Sequence, residues 1–225
     1  MTLRDGGVSV GGYASLNPAD HVGDDPQAVA ANRAIIRDSL QLPSEPVWLR
    51  QVHGITVIKA DQAEDAPEAD ASYTDNIGTV CAVLTADCLP VLFCGDGGRV
   101  LAAAHAGWRG LRAGIVKQTL AAMNCGEVSV WLGPAIGPKH FEVGDEVREA
   151  FLADDAHAAA AFRHHAPGKW LADIYQLARL QLVELGIDNI HGGPLCTVAD
   201  SGRFYSYRRD GAATGRMASL IWRQY

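Results

Sequence analysis

No apolar run in this 225-residue chain approaches the roughly 20 residues that cross a bilayer as a helix, and "VLAAAHAGW" is far too short. The N-terminus lacks a basic segment followed by an apolar one, so the expectation is a cytoplasmic protein with no membrane partner. Positive charge is scarce. Lys and Arg number 19 against 26 Asp and Glu, the formal net charge is −7, and no cationic cluster exceeds Arg208-Arg209. That balance argues against a nucleic-acid partner, which calls for a basic patch. Five scattered cysteines with no C-x-x-C exclude a disulfide framework in a chain of this size, so each thiol needs its own explanation. No G-x-G-x-x-G or phosphate-loop glycine pattern occurs, nor any repeat or low-complexity tract. The length suits a single domain spanning 1–225.

Hydrophobic patterning supplies the elements. Asp25-Pro26 reads as a cap and first-turn residue opening a helix over about 26–41, with Val29, Ile36 and Leu40 near one face. "VWLRQVHGITVIKA" reads as two short strands around His53-Gly54. Residues 61–76 are acidic and aperiodic, which predicts a surface connection. Two apolar runs flank "GDGG" at 95–98, the mark of a β-hairpin. Helices are expected at 108–123 as one piece, around 144–163, and from Asp173 to Gly186. Strands and helices alternate irregularly, which predicts an α/β (α+β) fold with mixed β-sheets flanked by helices.

"TADCLPVLF", residues 85–93, places Cys88 inside a strand-like run, where it is a metal ligand, a nucleophile or a small core residue. Hairpin register bears on the choice. If Asp96-Gly97 form a two-residue loop, Gly95 pairs with Gly98 and, counting outward, Cys88 pairs with His105. Cross-strand partners share a face and bring their Cβ atoms to about 4.5–5.5 Å, close enough to share a metal. Pro90 cannot donate to the ladder, so the strand must be irregular or at an edge there. His53, at the tip of "RQVHG", offers a third donor. Two His and one Cys leave a fourth position open, the pattern of a catalytic zinc site.

Beyond these residues, "RQVHG", "TADCLPVLF", "AAHAGWRG", "LGPAIGP", "FEVG" and "FYSYRRDG" followed by "TGR" resemble, in order and spacing, the laccase-domain family, also labelled multicopper polyphenol oxidase. Members of that family have been reassigned as purine nucleoside phosphorylases, and the resemblance covers nearly the whole chain. It implies zinc, with copper as the alternative, at His53, Cys88 and His105. It implies phosphorolysis of adenosine, inosine and methylthioadenosine, with nucleoside and phosphate as small-molecule partners and adenosine deamination as a side activity. The fold it implies is similar to that of the cysteine-dependent deamidase toxins. Two loops depart from the family pattern: Lys139-His140-Phe141, where many relatives carry two cysteines and a tyrosine, and Leu16-Asn17-Pro18-Ala19.

Phosphorolysis requires a cationic cradle. Arg50, three residues before His53, and Arg109, four after His105, are the first candidates, because a guanidinium binds phosphate bidentately. Arg208 and Arg209 are further ones. Asn17 is a candidate for holding ribose or a base edge, or for holding its own loop. Asp87 is a candidate catalytic residue, either as acid/base or as the carboxylate that orients a ligand histidine. Three other readings compete. A copper-dependent polyphenol oxidase suits a His₂Cys donor set, but there is no H-x-H pair and none of the three methionines is near a ligand. A cysteine hydrolase acting on cell-wall precursors would use Cys88 as nucleophile and His105 as base. A purely structural metal module normally carries four protein ligands.

Overall fold

Residues 100–106, Val-Leu-Ala-Ala-Ala-His-Ala, are all buried. Their small side chains let a layer approach closely on either face. In the computed structural model, which describes residues 1–63 and 66–224, this segment lies inside a six-stranded sheet. The strands in chain order are β1 (Val57–Lys59), β2 (Ala71–Thr74), β3 (Cys81–Thr85), β4 (Leu89–Gly95), β5 (Val100–Ala106) and β6 (Val128–Leu132). They continue as β7 (Glu142–Gly144), β8 (Phe162–Ala166), β9 (Lys169–Ala172), β10 (Ile190–Gly192) and β11 (Met217–Ile221). The helices are α1 (Pro26–Leu40), α2 (Trp108–Ala113), α3 (Ile115–Met123), α4 (Asp145–Asp154), α5 (Ile174–Glu184) and α6 (Tyr207–Asp210).

The large sheet runs β1-β2-β5-β4-β6-β10 and mixes parallel with antiparallel pairs. Alternation along β5 and β4 sorts the layers. Ala102, Ala104 and Ala106, with Leu89, Val91 and Phe93, join the core that includes Leu111, Ile115, Leu177 and Leu182 of the helices. Ala103 and Leu92 face the other way, onto Cys81 and Val83 of β3. β3 pairs with β11 in an antiparallel two-stranded sheet, with a single parallel bridge from Cys81 to Val47 on its other side. Its opposite face, Ala82 and Leu84, packs with Ile36 of α1. The layers are therefore helices, large sheet, small sheet, helix. β7, β9 and β8 form a separate three-stranded sheet.

Several expectations need correction. The loop of the hairpin is four residues, not two: Gly95 pairs with Val100, so every partner slides by two and Pro90, not Cys88, faces His105. The longer turn is pinned from outside, since Asp96 donates its N–H to Glu127 O and its side chain accepts the N–H of Gly126. A slip of two keeps each side chain on its face, so Cys88 stays on the side of His105 as a diagonal neighbour. The segment 61–76 is not merely a surface connection. Its end forms β2, next to β5, with Ala69, Asp70, Ala71 and Ser72 buried; residues 64 and 65 lie outside the described residues. The single helix expected at 108–123 breaks at Gly114, whose φ of 97° is left-handed. The 144–163 helix ends at Asp154, leaving His164 and His165 exposed on β8. Around His53 only isolated bridges at Val47 and Arg50 precede β1. Leu40, placed on the inner face of α1 by its spacing, is exposed.

Two helix caps match the sequence. Asp25 accepts from Gln27 N, and Asp173 accepts from the N–H groups of Tyr175 and Gln176 at 3.0 and 3.1 Å. Asp173→Ala is expected to cost about 1 kcal/mol of stability, read as a lowered midpoint in urea unfolding. An unchanged midpoint would show that the cap contributes nothing.

Candidate metal centre and active-site pocket

The chain leaves the small sheet at Thr85 and enters the large one at Leu89. Three residues make that crossing, and Asp87 takes a left-handed φ of 94° to turn it. Cys88 is the last residue of the turn. His105 reaches the same place from β5. His53 comes from a separate turn, itself left-handed with a φ of 60°. The three side chains bring their ligand atoms within 4.8 Å of one another, with Cys88 Sγ 3.9 Å from His53 Nε2. The two imidazoles meet edge-on, their centroids 4.8 Å apart. Donor atoms about 3.5 Å apart suit tetrahedral zinc, so the trio fits a metal once its side chains draw in from the present spacing. Among the described residues this is the single such group of His, Cys, Asp and Glu.

Asp70 holds the trio together. Its carboxylate is wholly buried at the start of β2. One oxygen bonds His105 Nδ1 at 2.8 Å and accepts the His53 N–H at 2.9 Å. The other accepts the N–H groups of Val52 and Gly54 at 3.2 and 2.6 Å. Every acceptor site of the carboxylate is thereby used. The bond to Nδ1 leaves Nε2 of His105 as the metal-facing nitrogen, the usual partnership of carboxylate and ligand histidine. Nothing in the spacing of the sequence singled out this aspartate from the acidic run around it.

Glycines complete the enclosure. A Cβ on Gly107 would lie 3.0 Å from both Cys88 Sγ and His53 Cδ2, so a side chain there would press on the ligands. A Cβ on Gly110 would lie 2.9 Å from Gly54 O, so this glycine lets α2 rest on the His53 turn. The spacing of "HAGWRG" follows from those two contacts.

The sequence-predicted neighbours divide. Asp87 does not orient a histidine. Its carboxylate accepts the hydroxyls of Thr197 and Ser206 and the N–H of Arg208, the last at 2.7 Å, which ties the crossing to the C-terminal loops. Arg50 is exposed and paired with Glu68 at 2.7 Å, away from the pocket lining. Asn17 is buried, and its amide is spent on Ala19, Asp24 and the N–H of Arg216, so it holds its loop. Arg109 does line the pocket, stacked on Trp108 at 4.5 Å. Arg208 does too, and Arg209 is instead bound to Asp210 and to loop carbonyls. Sequence reasoning missed Arg216, which joins Arg109 and Arg208 at a cavity of about 560 Å³ that opens onto the trio. Among the described residues none of these three arginines has a carboxylate partner; Arg4, Arg148, Arg163, Arg179 and Arg223 have none either, so what sets the three apart is their place in the cavity wall. Burial pulls the Arg216 guanidinium below its usual range, a cost that a bound anion would relieve.

The family described as multi-copper polyphenol oxidoreductase laccase matches residues 1–224. The chain belongs to that family. A purine nucleoside phosphorylase, YfiH, of Escherichia coli strain K12 is 55% identical over 224 residues, 98% of this chain and 91% of that protein. One from Pseudomonas aeruginosa is 51% identical over 227 residues, 100% of this chain and 92% of that protein. The crystal structure of Neisseria meningitidis protein NMB0706 superposes with a TM-score of 0.96 at 50% identity, covering 100% of this chain and 93% of that one. No helix among the described residues is long and apolar enough to cross a membrane.

Charge is shared within the trio. Burial disfavours ionisation of Cys88, but the adjacent charge of His105 and hydrogen bonds from both histidines outweigh it and hold the thiol well below its usual range. Burial likewise opposes a charged His105, and the Cys88 thiolate and Asp70 override it, raising the imidazole well above its usual range. Burial would raise the Asp70 carboxyl, and the bonds from His105 and Gly54 reverse that and keep it low. A metal needs Cys88 ionised and His105 neutral. Near neutral pH the first is already met, and binding displaces the His105 proton. The His105 contribution to apo stability is complete below the unfolded imidazole range and is lost as pH rises through its raised folded value. Metal affinity is accordingly expected to rise with pH, by about tenfold per unit while one proton is displaced, levelling off once His105 is neutral. Competition with a chelator across pH measures it; a flat profile would contradict the ion pair. Gly107→Ala is expected to weaken metal binding about tenfold or more while the fold survives, measured by the same competition together with thermal melting. Wild-type affinity would show that the contacts at 3.0 Å are not limiting.

Proposed function

We propose that this protein is a metal-dependent purine nucleoside phosphorylase. On this reading it takes adenosine, inosine or methylthioadenosine with phosphate to the free base and a ribose 1-phosphate, and deaminates adenosine as a side activity. The observation that carries the reading is the convergence, on one cavity, of an open three-ligand site and three arginines without carboxylate partners. The names of the relatives agree with it. His53, Cys88 and His105 would hold the metal, with zinc the ion that best suits a closed-shell His₂Cys site. When bound, the metal supplies a Lewis-acid centre of the kind that activates water for deamination.

The chain's own residues do the rest. Arg109, Arg208 and Arg216 supply positive charge to hold phosphate and to offset the charge carried into the transition state. Trp108, Phe141 and Tyr207 give the cavity aromatic surface for a flat base. Asp70 fixes the tautomer and orientation of His105 and so acts as a positioning residue. Asp87, Asn17 and Ser206 position Arg208 and Arg216 through their backbone N–H groups and loops. In phosphorolysis a phosphate oxygen attacks C1′ while the bond from C1′ to the base breaks, and the base leaves with the electron pair and takes a proton. The cysteine-hydrolase reading loses ground because Cys88 and His105 share their environment with His53 and Asp70 as a ligand set.

Product analysis under nitrogen tests the proposal. The metal-loaded protein is incubated with inosine and with adenosine, with and without phosphate. Phosphate-dependent release of hypoxanthine and ribose 1-phosphate is expected, together with slow phosphate-independent conversion of adenosine to inosine. Cys88→Ala is expected to lose metal and at least about 100-fold in turnover together, and Arg216→Ala to raise KM for phosphate. No base release by metal-loaded protein would overturn the phosphorylase reading, and dioxygen-dependent oxidation of phenols with several coppers per chain would favour the oxidase.

A further inference from the structure

Cys196 and His140 form a second thiol site that the phosphorylase reading does not use. Residue 196 bridges to Ala135, and its Sγ lies 3.3 Å from His140 Nδ1. Two backbone N–H groups also point at the sulfur, from Gly137 at 3.3 Å and Ala199 at 3.4 Å. Glycine at 137 gives this contact room, since a Cβ there would stand 3.1 Å from the sulfur. His140 is exposed and Cys196 half-buried, so a small solute has a path to the pair. The other thiols are placed differently. Burial pushes Cys81 up to about 12 and raises Cys125, and Cys88 belongs to the metal trio. Cys94 has no imidazole partner among the described residues.

An imidazole within reach of a thiol, with two N–H dipoles aimed at the sulfur, is the arrangement of an activated nucleophile. We propose that Cys196 is a modification site that reacts with hydroperoxides, with His140 as its base. The thiol proton passes to His140 Nδ1 as the sulfur attacks one peroxide oxygen. The S–O bond forms, the O–O bond breaks, and the leaving hydroxide (an alkoxide when the peroxide is organic) takes the proton from His140 and departs as water or the alcohol. Sulfur is oxidised by two electrons to the sulfenic acid and the peroxide is reduced, a state reversible by small thiols. The pair is wired to the pocket wall on both sides. Thr197, next in the chain, donates to Asp87, and the His140 carbonyl accepts from Arg208 Nη1 at 3.2 Å. An adduct on Cys196 therefore disturbs the loop that carries Phe141 and the anchor of Arg208.

The test uses the full-length, metal-loaded protein with limiting hydrogen peroxide and dimedone, followed by peptide mass mapping. Cys196 is expected to trap dimedone at least tenfold faster than Cys94 or Cys125. His140→Ala is expected to slow that labelling about tenfold, and added imidazole to restore it. Equal labelling of the three cysteines, wild-type labelling in His140→Ala, or a loss that imidazole fails to restore would each overturn the proposal. None of these readouts depends on nucleoside turnover.

Discussion

One buried carboxylate, Asp70, sets the geometry on which the rest of the site depends. It grips the His53 turn through three consecutive N–H groups and the His105 ring through Nδ1. A naked carboxylate in a protein interior is costly, and four donors are what make it tolerable. The same four bonds fix two metal ligands from segments 52 residues apart in sequence relative to one another. The left-handed backbone at His53 is the local strain that this grip sustains.

The third ligand is positioned by a different device. Cys88 stands where the chain changes sheets, and the turn that makes the change is locked by the Asp87 carboxylate. That lock joins the crossing to Thr197, Ser206 and Arg208. The pocket is consequently assembled from the N-terminal loop, the strand ends and the C-terminal loops at once.

Much of this was legible in the chain. Caps at Asp25 and Asp173 and the hairpin around 95–98 could be read from local pattern, because capping and turn rules act over a few residues, whereas the His-Cys-His set rested on the resemblance to the family as much as on strand alternation. Pro90, expected to mark an irregular or edge strand, instead sits in unbroken register opposite His105 in a central strand; it is tolerated one residue beyond the β6 ladder, where only its carbonyl is used, by Gly133. The pairing of Cys88 with His105 was right as to face and wrong as to partner. Face follows from a period of two, whereas partner depends on loop length, and the loop is held by residues 126 and 127 far along the chain. β2 was hidden by its acidic approach, since four short residues packed on alanines carry no periodic signal.

By itself the sequence determined which chemistries were available and which were not: histidines and a cysteine at strand ends that could hold a metal, few cationic residues and no phosphate loop. It also determined the fold class, through the alternation of strand and helix patterns. Tertiary structure alone decided which charges stand free. Arg50 and Arg216 are the same side chain on the page, yet one meets Glu68 in solvent and the other faces the cavity without a carboxylate. The orienting role suggested for Asp87 by its place beside Cys88 falls to Asp70, while Asp87 ties the crossing to the C-terminal loops. The reason is physical: the worth of a charge is set by what desolvates it and what it touches, and for these residues the partners come from segments remote in the chain.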